Sequence, residues 1–208
     1  MAVHPNQQER VMKKFFGFLS NEIFLGTMIA LLSAFTAIAS YQGAMSDSEQ
    51  NKFEIMGMQT LNDGNAEYLR ANQDITQDYN YFDNWYINSE ERPDIAEYYQ
   101  FSFSEQLLAA MERDPEGVWD EQYYNDMYAD ATSLWDESDA NFSLATQWDE
   151  RGDQLQLVML IMALGLALAA WSSLLGAESN MRTLFSLFGL LSFIAGLFIY
   201  LTMVPSVG

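Results

Sequence analysis

Three stretches of this 208-residue chain, 23–42, 154–176 and 183–204, carry no charged residue. A bilayer core takes about 20 apolar residues of helix to cross. In lipid, only a helix or a closed barrel satisfies the backbone. Helices of a soluble core seldom run so far without a polar face. The three stretches are therefore expected to be transmembrane helices.

Charge divides the chain into two materials. Residues 42–152 hold 25 acids and 5 bases, whereas the rest holds 4 of each, so the whole net charge of −20 lies in the middle segment. The expected plan is an interfacial segment 1–22, helix 23–42, an acidic domain 43–152, helix 153–176, a loop 177–182, helix 183–204 and a tail 205–208. Arg10, Lys13 and Lys14 precede the first span, and Arg182 lies between the second and third. Basic flanks stay inside, so the N-terminus and the 177–182 loop are placed in the cytoplasm and 43–152 outside. Tyr41, Trp148 and Tyr200 then lie at the outer boundary and Trp171 at the inner one. Ala37-Ile38-Ala39 loosely resembles a cleavage site, but the apolar run is long for a signal peptide, and a retained anchor is expected. Residues 7–19 read equally as an interfacial helix or as a plain basic flank. Ser20 or Asn21 suits the cap of the first span, with Glu22 in its first turn.

The acidic segment reads as helix throughout. Phe53, Gly57, Thr60, Gly64, Tyr68, Ala71, Ile75, Tyr79, Phe82 and Tyr86 recur at helical spacing on one face. A break at 88–92 precedes Pro93, which suits a first helical turn. Asp114-Pro115-Glu116 reads as the next helix start, and no breaker follows before Gly152. Tyr124, Ala131, Ser138 and Ala145 form one heptad row and Tyr128, Trp135, Phe142 and Asp149 another, a seam for antiparallel packing on the first long helix. The fold class expected is thus an all-α membrane protein: three transmembrane helices plus an extramembrane antiparallel helical bundle, coiled-coil-like, built from extensions of spans one and two.

Function is read mostly by exclusion. Without Cys there is no disulfide, thiolate metal site or Cys nucleophile. His4 alone makes no multi-His metal site, and a Ser-His-Asp triad would need that same terminal residue. No P-loop, dinucleotide fingerprint or nucleophile elbow is present. No cofactor and no enzyme activity are expected, and an acidic chain is a poor partner for nucleic acid. Acid pairs able to hydrolyse sugars arise here by chance alone. No ionisable residue lies in the centre of a span, which argues against proton-coupled transport. Asn141-Phe142-Ser143 matches a glycosylation sequon but falls mid-helix on the seam.

Two residue sets remain as candidates. Asp114, Glu116, Asp120 and Glu121, and Asp136, Glu137 and Asp139, are dense enough to attract divalent cations, although acids on a straight helix diverge and calcium wants six to eight converging oxygens. Their plain reading is a solvated face. Small residues at four-residue spacing mark helix-packing faces in lipid: Gly26, Ala30 and Ala34; Gly165, Ala169 and Ser173; Ser192 and Gly196. These serve either a hairpin of spans two and three or contacts with copies and other subunits. The aromatic clusters at 79–86, 98–103 and 123–128 read as core first and contact surface second.

Ala37-Ile38-Ala39-Ser40 at the end of the first span and Ala66-Glu67-Tyr68 one long helix later are similar to an uncharacterised family of short prokaryotic membrane proteins, a domain of unknown function. The resemblance implies one span, a long helical segment and a C-terminal two-span hairpin, and no site residues. The acidity and the Tyr and Trp content depart from that pattern. The reading expected is a non-catalytic membrane scaffold or accessory subunit, held by self-association or by other membrane subunits. The alternative is an oligomeric ion channel or cation-responsive sensor with an acidic vestibule.

Overall fold

The computed structural model describes residues 17–207. His4, Arg10, Lys13, Lys14 and most of the expected interfacial segment lie outside the described residues. Those residues form an all-helical chain: α1 (Glu22–Asn88), α2 (Pro93–Gln100), α3 (Glu105–Arg113), α4 (Glu121–Met127), α5 (Ala129–Leu174) and α6 (Asn180–Thr202). Three of these, α1, α5 and α6, are long and apolar enough to cross a membrane. The chain divides into an apolar unit (Met1–Lys52 with Leu144–Gly208) and an acidic unit (Phe53–Ser143). Both α1 and α5 contribute to each unit.

Local chemistry sets the helix ends. Asn21 Oδ1 accepts the N–H of Ile23 at 2.8 Å and caps α1. Pro93 opens α2, as expected, with Asp94 in its first turn. The Asp114-Pro115-Glu116 start is not used. Asp114 Oδ1 instead accepts the Glu116 N–H at 3.1 Å, and Asp114 O accepts that of Gly117 at 3.2 Å, closing a turn. The chain then runs inward to bury Val118, and α4 starts six residues late, capped by Asp120. A further break, at 101–104, divides α2 from α3, where Ser104 caps α3 and its Oγ accepts Leu107 N–H at 3.0 Å. The single residue Tyr128 separates α4 from α5.

In the apolar unit, α1, α5 and α6 share a core of Leu25, Met28, Leu32, Ala39, Val158, Met162 and Ala169. Phe35 and Phe193 meet edge to face at 5.6 Å. Ser186 Oγ donates to Leu19 O at 2.8 Å, and Ser20 and Thr183 pair through their hydroxyls at 2.8 Å. Gln42 pairs with the Tyr200 hydroxyl at 3.1 Å. Arg151 donates to the carbonyl of Pro205. Less than a third of each apolar window is buried: 22% in α1, 28% in α5 and 17% in α6. The remainder, including Leu31, Leu164, Ile194 and Phe198, is exposed apolar surface.

In the acidic unit, α1 and α5 pack antiparallel at heptad intervals. Gly57 faces the ring of Phe142, and Gly64, seven residues on, faces Trp135, seven residues back. Ser138 Oγ donates to Gly57 O at 2.9 Å, so the two backbones are close. The expected seam is thus present in part: Ala131 and Ser138 are buried beneath half-buried Trp135 and Phe142, whereas Asp149 is exposed and Tyr124 and Tyr128 lie before α5. Asn141 is buried too, which suits chance as the origin of the sequon. Further along α1 the buried face runs through Ala71, Ile75 and Asp78, while Tyr79 and Tyr86 are exposed.

A Cβ at Gly57 would stand 2.8 Å from Phe142 Cε1, and one at Gly64 2.7 Å from Trp135 Cδ1. Replacing a helical Gly by Ala gains about 1 kcal/mol of helix propensity, and overpacking against a fixed ring costs about 1–3 kcal/mol. Gly57→Ala and Gly64→Ala are each expected to lower stability by a net ~1 kcal/mol, measured by denaturant unfolding followed through near-ultraviolet circular dichroism. A gain in stability would show that the rings do not cover these glycines.

Candidate functional site

Asp78 organises the acidic unit. The residue is 2% exposed, yet its carboxyl accepts the Ser104 N–H at 3.0 Å, the Ser104 hydroxyl and the Tyr123 hydroxyl at 2.8 Å. A buried carboxyl without partners is costly, and three donors remove that cost. One side chain of α1 thereby fixes the cap of α3 and the first turn of α4. Tyr123 is fully buried, and desolvation together with the bond to Asp78 pushes its phenol far above the ordinary range. Around this point Phe82, Trp85, Phe103 and Trp119 form an aromatic core: Trp119 lies 5.1 Å from Tyr123 and 5.4 Å from Phe82, both edge to face. Tyr79 hydrogen-bonds to Tyr124 and lies 4.2 Å from Trp119. That hydrogen bond, with some burial, raises the Tyr79 phenol from 10.0 to about 12.

Beside Asp78 a cavity of about 360 Å³ is lined by Glu67, Asp74, Asp126 and Asp130, with Arg70 as its cation. Arg70 lies 3.6 Å from Glu67. Among the described residues no three His, Asp or Glu side chains are placed to share a metal ion.

The acids singled out by sequence do other work here. Asp120 caps α4 through Tyr123 N–H at 2.6 Å and receives Arg113 in a two-pronged bond, Nη2 at 2.8 Å and Nε at 3.1 Å. The Arg113 bond, then the cap, hold the Asp120 carboxyl below its usual range, and Asp120 raises Arg113. Asp114 closes its turn on Glu116, and Glu121 occupies the first turn of α4. Asp136, Glu137 and Asp139 are exposed along α5.

The small-residue rows separate into used and unused. Gly165 and Gly189 bring α5 and α6 into close approach: a Cβ at Gly165 would lie 2.7 Å from Ser192 Cβ and 3.3 Å from Gly189 O. Ala169 is buried, and Gly196 packs against Met162. Gly189 was not among the expected residues, although it lies one heptad before Gly196. Ser173 is exposed and takes no part. Gly26, Ala30 and Ala34 are all exposed, and a Cβ at Gly26 would meet nothing within 4 Å. Arg182, expected as a loop charge, is only 4% exposed; its Nη1 donates to Leu175 O at 2.8 Å, just past the end of α5, where a cation is favourable.

Comparison with known protein families, curated proteins and solved structures finds no match for this chain.

Two outcomes follow from Asp78 and its neighbours. Tyr123→Phe removes one donor to a buried carboxyl and is expected to cost about 1.5–3 kcal/mol, and Asp78→Ala, which strands both Ser104 and Tyr123, is expected to cost more, both read by thermal unfolding. The second is a pH effect. Between pH 10.0 and about 12 an unfolded chain has released the Tyr79 proton and the folded chain retains it, so stability falls as pH rises through that window. Phenolate absorbance is expected to show a late-titrating tyrosine that returns toward pH 10 in Tyr124→Phe; an unchanged titration would contradict the coupling.

Proposed function

We propose that the chain is a non-catalytic, multi-pass membrane scaffold or accessory subunit. In this reading α6 and the apolar ends of α1 and α5 cross the bilayer. The N-terminus and the 177–182 loop face the cytoplasm, and the acidic unit contacts a partner on the other side. The observation that carries it is the unequal use of the small-residue rows. In α5 and α6 the rows, Ser173 apart, are taken up by packing within the chain. On α1, Gly26, Ala30 and Ala34 are exposed on an apolar helix, and a Cβ at Gly26 would meet nothing within 4 Å. Lipid gains nothing from such a row, whereas a second helix can approach closely over it. The heptad-paired, aromatic-cored acidic unit supports a rigid contact element rather than a flexible tail.

The test is native mass after gentle extraction from the membrane of origin, with components identified. The wild type is expected in an assembly larger than one chain. Gly26→Leu combined with Ala30→Leu changes two exposed positions and is expected to reduce the assembly to the single chain without loss of helix content. A wild-type protein that runs as one chain, or an assembly indifferent to the double change, would contradict the reading.

A further inference from the structure

The acidic unit bears a patch that its own core does not use. Phe101, immediately after α2, is 83% exposed, and Tyr98, one turn earlier, is 69% exposed. Phe101 and Leu108 share an open groove of about 340 Å³ with Glu97 and Gln100. Full burial of a side chain like Phe yields about 1.5–3 kcal/mol, and here that gain is unrealised. The neighbouring core is already complete: Phe103, Leu107 and Ala110 point inward and are buried. An exposed Tyr and Phe beside a groove are the residue types that anchor protein contacts.

Glu97 lines the groove, and the helices that form it are acidic. Asp94 and Glu97 precede Phe101 at helical spacing on α2, and Glu105 and Glu112 flank Leu108 at three and four residues on α3. All four acids are exposed. The nearest base on α3, Arg113, is already engaged by Asp120. Residues 53–143 carry 21 acids against 3 bases. A second copy of this surface would bring like charge onto like charge, and an anionic lipid surface would be repelled in the same way.

We propose that the groove between α2 and α3 docks a cationic amphipathic segment of a partner protein. One bulky apolar side chain of that segment enters between Phe101 and Leu108. Lys or Arg within a turn on either side pairs with Glu97 and Glu105. This rests on the reading of the acidic unit as a partner-contact element, and it names the chemistry of the partner.

The experiment uses the full chain in phosphatidylcholine nanodiscs, with empty nanodiscs as the blank. Three dye-labelled helical peptides are titrated: Lys/Leu, Lys/Ser of the same charge, and Glu/Leu. The Lys/Leu peptide is expected to bind saturably and at least about tenfold more tightly than Lys/Ser, a step of about 1.4 kcal/mol, and Glu/Leu is expected not to bind. Phe101→Ser with Leu108→Ser is expected to bring Lys/Leu down to the Lys/Ser level; Ile55→Ser, at another exposed apolar site, is expected to change nothing. Glu97→Gln with Glu105→Gln, which leaves the apolar groove intact, is expected to weaken Lys/Leu binding and reduce its salt dependence. Equal binding of Lys/Leu and Lys/Ser, or wild-type binding by both double variants, would overturn the proposal. The native mass of the wild type separates the two readings: a larger assembly with no groove-dependent binding overturns the groove alone, and a lone chain overturns the scaffold.

Discussion

Close approach of α1 and α5 over small residues is the contact on which each unit depends. In the acidic unit Gly57 and Gly64 sit one heptad apart beneath the rings of Phe142 and Trp135. In the apolar unit a Cβ at Gly43 would lie 3.8 Å from Leu155 Cβ, and one at Gly152 2.9 Å from Asp47 Oδ1. The physical logic differs between the two settings. In water a glycine beneath a ring lets a large apolar area be buried by few residues. In lipid, hydrophobic burial would give no such gain, and close packing with interhelical hydrogen bonds is what would remain.

The acidic unit solves a harder problem. It carries 21 acids in 91 residues and must still build a core. Aromatic side chains supply the buried area, and the acids are mostly left on exposed faces. Asp78 is the exception, and its burial is matched by three hydrogen-bond donors. Asp120 shows a cheaper arrangement: it remains near solvent, caps α4 and holds Arg113. These two acids account for the placement of the short helices α3 and α4, which have too few residues to be stable alone.

Much of this architecture is legible in the sequence. The three uncharged windows, the end of α1 before Pro93 and the Ala131–Ser138 row all follow from spacing and composition. What is not legible depends on tertiary context. The helix start at Asp114-Pro115-Glu116 has every local signal, but Gly117 and the burial of Val118 and Trp119 favour a turn, and Asp120 takes the cap. Ser104 carries a modest cap signal of its own, which only the Asp78 contact makes decisive. The α1 face drifts from the Tyr79 row to the Asp78 row because a charged residue is not counted as core by periodicity. Among the packing glycines, spacing alone does not separate Gly26, which faces outward, from Gly165, which meets α6. That distinction comes from where the helices lie, and the sequence does not state it.

Membrane insertion is the central claim, and the absence of cysteine makes it directly measurable. Leu31, Leu164 and Ile194 are exposed on the protein surface, as is Ser89 in the turn after α1. Single changes Leu31→Cys, Leu164→Cys, Ile194→Cys and Ser89→Cys would be treated in intact cells with a membrane-impermeant maleimide. The account predicts rapid labelling at position 89 and none at 31, 164 or 194 until detergent or denaturant is added, because lipid covers those three. Labelling of the three apolar positions as fast as position 89 would contradict it.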